Sequence, residues 1–134
     1  MTISLFLKAC VIWVVMVILA IANGAFRDGV LASQLGPDPA LPISGLSLAV
    51  LIFIATYMTF PLIGKNALPV YYIIGIQWVL MTLAFDFLFG HYVLGKPWSD
   101  IVQVFDLASG NLFIVVLIVT LLAPYLVARL KGAL

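Results

Sequence analysis

Five aspartates, no glutamate and a single histidine carry nearly all the acid–base chemistry open to this 134-residue chain. Asp86 is the most informative of them. It sits in Phe85-Asp86-Phe87-Leu88-Phe89, near the end of an apolar run. A carboxylate in hydrocarbon costs about 2.5–3.5 kcal/mol on insertion scales, so it must be paired, protonated or turned toward a polar space. Trp78, Thr82 and Asp86 recur at i, i+4 and i+8, which puts them on one stripe of a helix. Arg27 is the natural partner for Asp86, and Asn23 shares its face if the first apolar run stays helical beyond Ala22. Two readings compete: an ion- or proton-coupled site, or a buried salt bridge that orders helix ends. The second is favoured, because Asp86 lies near an end and not at mid-membrane.

The other candidates are weaker. His91 follows Gly90 at the end of the same run and titrates near neutrality, so it could tune Asp86. An isolated histidine there is more often a solvated rim residue. Asp100, Asp106 and His91 offer oxygen and nitrogen ligands, but their spacing matches no metal motif. Asp28 and Asn111 complete the polar set. No nucleotide-binding, nucleophile-elbow or zinc-protease pattern is present. Cys10 is the only cysteine, which removes an intrachain disulfide, a CxxC pair and a cysteine-based zinc site. One histidine also excludes a bis-histidine haem within the chain. The expectation is therefore no catalytic set, no cofactor and no resident metal.

The elements that must hold these residues follow from composition. The chain is 66% hydrophobic and 8% charged, with a mean hydropathy of +1.31. Soluble domains average roughly 45–50% apolar and 25% charged, so lipid must be the solvent for much of this surface. A net charge of +1 gives no electrostatic footprint for nucleic acid. A span needs about 20 apolar residues to cross the hydrocarbon, and four runs qualify: 3–22, 43–63, 70–89 and 112–128. Pro42, Pro69 and Gly110-Asn111 mark starts, and Gly64 and Gly90 follow ends. Non-helical backbone cannot face lipid. The fold expected is all-α, a single domain over 1–134: a polytopic transmembrane four-helix bundle with two interfacial loops on its outer side.

In the second of those loops Ile101, Val104, Phe105 and Ala108 fall on one helical face, which with Trp98 reads as a short interfacial helix. Residues 26–35 read similarly, up to the Gly36-Pro37 break. Tyr71, Tyr72, Trp98 and Tyr125 read as interfacial belts. Lys8, Lys65, Arg129 and Lys131 lie on one side of the spans, against Arg27 and Lys96 on the other. That bias favours both termini in the cytoplasm. A competing reading takes Lys8, the apolar stretch and Ala20-Ile21-Ala22 as a cleavable signal peptide, which would leave three spans. An offset of 65 residues aligns Trp13-Val14-x-Met16 with Trp78-Val79-x-Met81 and Ser44-Gly45 with Ser109-Gly110, as a duplicated hairpin would.

Three motifs, Asn23-Gly24-x-x-Arg27-Asp28, Phe85-Asp86-x-x-x-Gly90 and Asp106-x-x-x-Gly110-x-Leu112, together resemble those of a group of small four-span bacterial inner-membrane proteins of unassigned activity. The resemblance covers most of the chain. In that group the two acidic positions are more typically Glu, so Asp28 and Asp86 depart from it conservatively. It implies a helical bundle in the inner membrane and brings no activity. Better-known four-span families fit poorly: small multidrug transporters carry a buried Glu in span one, disulfide-generating quinone reductases need cysteine pairs, and fluoride channels open on a Gly-rich, Arg-containing motif.

Three functions remain in view. The first is an accessory or structural membrane subunit whose polar cluster sits at the outer face. The second is a small oligomeric ion or solute transporter using Asn23, Arg27 and Asp86. The third, with least support, is an enzyme acting on a lipophilic substrate. The accessory role ranks first, because a pore should line its path with polar groups through the core. The partners expected are the bilayer and a second copy or a larger membrane complex, with no nucleic acid.

Overall fold

The computed structural model describes residues 2–102 and 112–133. Lipid offers no partner for backbone N–H and C=O groups, so an apolar chain of this length satisfies them within helices. The first helix, α1 (Ile3–Phe26), is capped by Thr2, whose hydroxyl accepts from the Leu5 amide at 3.2 Å. It runs on through a π-helical turn, Arg27–Leu31, into the short α2 (Ala32–Leu35). Gly36, with φ 89°, breaks the run, since only glycine takes that conformation without cost. Then follow α3 (Pro37–Ile63), α4 (Leu68–Leu88), a second π-helical turn (Phe89–Val93), α5 (Trp98–Ile101) and α6 (Phe113–Leu130). Four of the described helices are long and apolar enough to cross a membrane, and no strand occurs among the described residues. The chain is an all-α, multi-pass four-helix bundle.

Two boundaries differ from those the hydropathy predicts. The apolar run ends at Ala22, but the helix does not, and the first long connection is helical up to Gly36. Hydropathy reports membrane depth; helicity continues wherever no residue breaks it. Pro42, expected to open the second span, lies inside α3, which starts with Pro37 in its first turn. Proline is tolerated there because the first amides have no helical acceptor. Of the expected interfacial helix, only Trp98–Ile101 falls within the described residues; Val104, Phe105 and Ala108 lie outside them.

The four long helices form a square in the order α1, α3, α6, α4, with α6 packed closely on both α3 and α4. Lipid-facing positions are large and apolar: Ile3, Met58 and Leu80 are 80%, 73% and 60% exposed. Many buried positions are small, among them Ala9, Ala49, Thr56, Gly75, Thr120 and Ala123. Small residues let backbones approach, which drives helix association where the hydrophobic effect does not. The Trp78–Thr82 stripe faces α1. Trp78 Nε1 donates to Ala9 O at 2.9 Å, and Trp13 Nε1 donates to Thr82 Oγ1 at 3.0 Å.

Tyr71 is not a belt residue. It is fully buried and folds back on the α3–α4 turn, where its hydroxyl donates to Gly64 O (3.0 Å) and accepts from the Asn66 amide (2.8 Å). Asn66 Nδ2 also donates to Ile63 O at 2.9 Å, so the turn's backbone groups are met within the protein. Removing a buried partner exposes the desolvation penalty of the groups left behind, about 1–3 kcal/mol. Tyr71→Phe should therefore lower the thermal midpoint in detergent by several degrees, with helical content unchanged by circular dichroism. Tyr72 and Tyr125 do stack at the same end, with centroids 5.3 Å apart, and Lys131 Nζ sits 4.3 Å over the Tyr57 ring.

Candidate functional site

At the end of the bundle away from both chain termini, the helices splay around a cavity of about 450 Å³. Each long helix contributes to it. From α1 and its π-helical turn come Asn23 and Arg27; from α3, Ser44 and Gly45; from α4, Asp86. Lys96, just before α5, and Asp100 within it complete the polar lining. Both π-helical turns, Arg27–Leu31 and Phe89–Val93, lie at this end. Such turns insert an extra residue per helical cycle and recur at functional sites, because they re-aim the side chains that follow.

The geometry brings together most of the residues singled out in the sequence. Asn23 is buried, and its Oδ1 accepts a short hydrogen bond from Ser44 Oγ, which ties α1 to α3 at the cavity wall. Asp86 is half-buried and faces the same space as Arg27. No direct ion pair joins these two among the described residues, and Arg27 is engaged in another interaction. Their expected pairing is thus shared residence in one cavity, not a salt bridge. Asp100 joins them. Asp106 and Asn111 lie outside the described residues; for Asp28 only the backbone, in the first π-helical turn, is described.

His91 stands apart from the cavity lining. Its Nδ1 is 2.9 Å from Lys96 O, and its ring stacks on Trp98 with centroids 3.9 Å apart. Tyr92 meets both rings edge-on. The imidazole thus pins the connection that carries Lys96, which is a structural task, and it is not set against Asp86 as an acid–base partner. His91→Phe should keep the stack, whereas His91→Ala should loosen the connection. Tryptophan fluorescence would register the difference through Trp98. Among the described residues no three His, Cys, Asp or Glu side chains gather to hold a metal ion.

Sequence reasoning passed over Ser44 and Lys96 as site residues. The signal for Lys96 was present: with Arg27 it is one of two basic residues on the side that the positive-inside bias leaves poor in them. Ser44 lies at the start of its apolar run, level with Asn23 at the end of the preceding one. Two small polar residues at matched depth on adjacent helices are candidates for an interhelical bond.

Below the polar lining the cavity closes. Its deepest residues are Ala20, Leu48 and Val116, and beneath them lie Ile12, Ile52, Ile74 and Trp78, all buried in the apolar core. The arrangement is a blind, mixed-charge pocket with an apolar floor. A volume of about 450 Å³ falls inside the range of roughly 300–1,000 Å³ typical of small-molecule pockets. The search for relatives was negative: no family model, no curated protein and no solved structure matches the chain.

Proposed function

We propose that the chain is an accessory membrane subunit that holds a small ligand carrying both charges in the cavity at one face of the bundle. The observation that carries this reading is the blind pocket: among the described residues, two cations and two carboxylates stand around an apolar floor. A standing pore would need polar groups continuing through the core, and among the described residues the buried core below Val116 is apolar apart from Thr56, Thr120 and the Gln77 Oε1 atom. Both of those hydroxyls donate to carbonyls one turn back in their own helices, at 2.8 and 2.7 Å, so neither offers a step for an ion. The residual alternative is a transporter that uses the cavity as its outer vestibule.

Positive residues at the opposite end support cytoplasmic termini and a bacterial inner-membrane location, with the cavity on the outer side. Reporter fusions at each terminus test that orientation. The functional test is the purified chain in liposomes. The accessory reading expects saturable binding of phosphoethanolamine, a small soluble zwitterion, with ion and solute flux at background. Saturable flux that is lost in Asp86→Asn would overturn it in favour of transport.

A further inference from the structure

Asn23 has two faces. One lines the polar cavity, and the other lines an apolar groove on the lipid side, between α1 and α3. That groove is walled by Leu19, Ala22 and Phe26 from α1 and by Leu46, Ser47, Val50 and Leu51 from α3, the Ser47 hydroxyl donating to Ile43 O within its own helix. Residues 19–26 cover about 10 Å of helix at 1.5 Å per residue, so the groove descends from headgroup level into the acyl region. Asn23 is shared by groove and cavity, and its side chain is held on the cavity side by the hydrogen bond from Ser44.

Resting on the reading that the cavity binds a ligand of both charges, we infer that the ligand is the headgroup of a phosphoethanolamine lipid, admitted sideways from the bilayer between α1 and α3. The headgroup's phosphate meets Arg27 and Lys96, and its ammonium meets Asp86 and Asp100. Carboxylates accept hydrogen bonds and donate none when ionised. An ammonium, with three N–H donors, therefore satisfies them better than a choline, which has none. An anionic headgroup would leave the two carboxylates facing like charge. The acyl chains stay outside, with one of them lying in the groove along Val50 and Leu19. A water-soluble zwitterion would need no such groove, and its path would be through the open end.

The test is lipid binding by the full chain, measured by native mass spectrometry from detergent. Phosphatidylethanolamine, phosphatidylcholine and phosphatidylglycerol are titrated in separate arms, with soluble phosphoethanolamine in a fourth. The expected result is one phosphatidylethanolamine per chain, bound at least tenfold more tightly than either other lipid and than the soluble headgroup. Val50→Trp fills the groove from a position that is 58% exposed and should not disturb folding. It should cut phosphatidylethanolamine affinity about tenfold and leave soluble phosphoethanolamine unchanged. Ser44→Ala removes the donor that holds the Asn23 side chain and should speed lipid exchange several-fold. Equal affinity for the three lipids, or lipid binding that is indifferent to Val50→Trp, overturns the inference. Binding of the soluble headgroup with no bound lipid defeats lateral admission and leaves the accessory reading standing. If neither binds, both fall.

Discussion

Gly75→Ala is expected to be the most damaging glycine-to-alanine change among the described residues. A Cβ built on Gly75 would lie 2.1 Å from Leu121 O and 2.9 Å from Leu121 C. The obstacle is backbone, which no rotamer change can remove. Relief requires α4 and α6 to move apart by well over about 1 Å, because non-bonded contacts settle near 3.5–4.0 Å. That shift would be felt along a face where Ile74, Trp78, Ala123 and Val127 are all fully buried. Overpacking a tight core costs typically about 1–3 kcal/mol, occasionally more, and this contact belongs at the upper end. The expected readout is a large drop in thermal midpoint, with loss of the monodisperse peak in size-exclusion chromatography. Gly29→Ala is the control. A Cβ there meets nothing within 4 Å, and φ lies outside the left-handed region, so its midpoint should hold or rise slightly. Equal damage from both changes would mean that the close α4–α6 approach is not what holds the bundle.

The four spans were legible because bilayer thickness imposes a length on any apolar run, and 3–22, 43–63, 70–89 and 112–128 each meet it. What depth cannot report is where a helix stops. The apolar stretch ends at Ala22, yet the backbone stays helical past Arg27, since nothing before Gly36 forces the chain out. Tyr71 shows a second limit. An aromatic near a span end reads as a belt residue, but the unmet carbonyl and amide of a short turn made an inward hydroxyl worth more. The stripe of Trp78, Thr82 and Asp86 was read correctly as one face, and the structure gives that face its meaning. It lies against α1 for two turns and then opens into the cavity. The cavity itself was only half visible. Asn23, Arg27 and Asp86 were recognisable as polar groups in costly places, whereas Ser44 and Lys96, though each carried a signal, joined the site only once the fold set them around one cavity.

The charge balance of the cavity makes Asp86→Asn diagnostic. The substitution keeps side-chain shape and removes one of the two carboxylates that line the cavity among the described residues, which shifts its balance toward Arg27 and Lys96. Affinity for a zwitterion should fall, and affinity for a simple anion such as inorganic phosphate should rise. Hydrogen bonds to charged groups contribute about 1.5–3 kcal/mol, and each 1.4 kcal/mol is about tenfold. The half-buried Asp86 should thus lose roughly 10- to 100-fold in phosphoethanolamine binding. Lys96→Gln should instead weaken binding of both ligands, because it removes a cation that meets the phosphate of each. Its effect should be only a few-fold, because Lys96 is exposed and exposed ion pairs contribute about 0–1 kcal/mol. Calorimetry with the two ligands against the two variants gives four changes of stated sign. A structural role for Asp86 would instead lower both affinities together, through loss of the folded pocket. Opposite signs for zwitterion and anion in Asp86→Asn can arise only if the carboxylate acts on the ligand through its charge, which is the property that separates a binding site from a polar seam between helices.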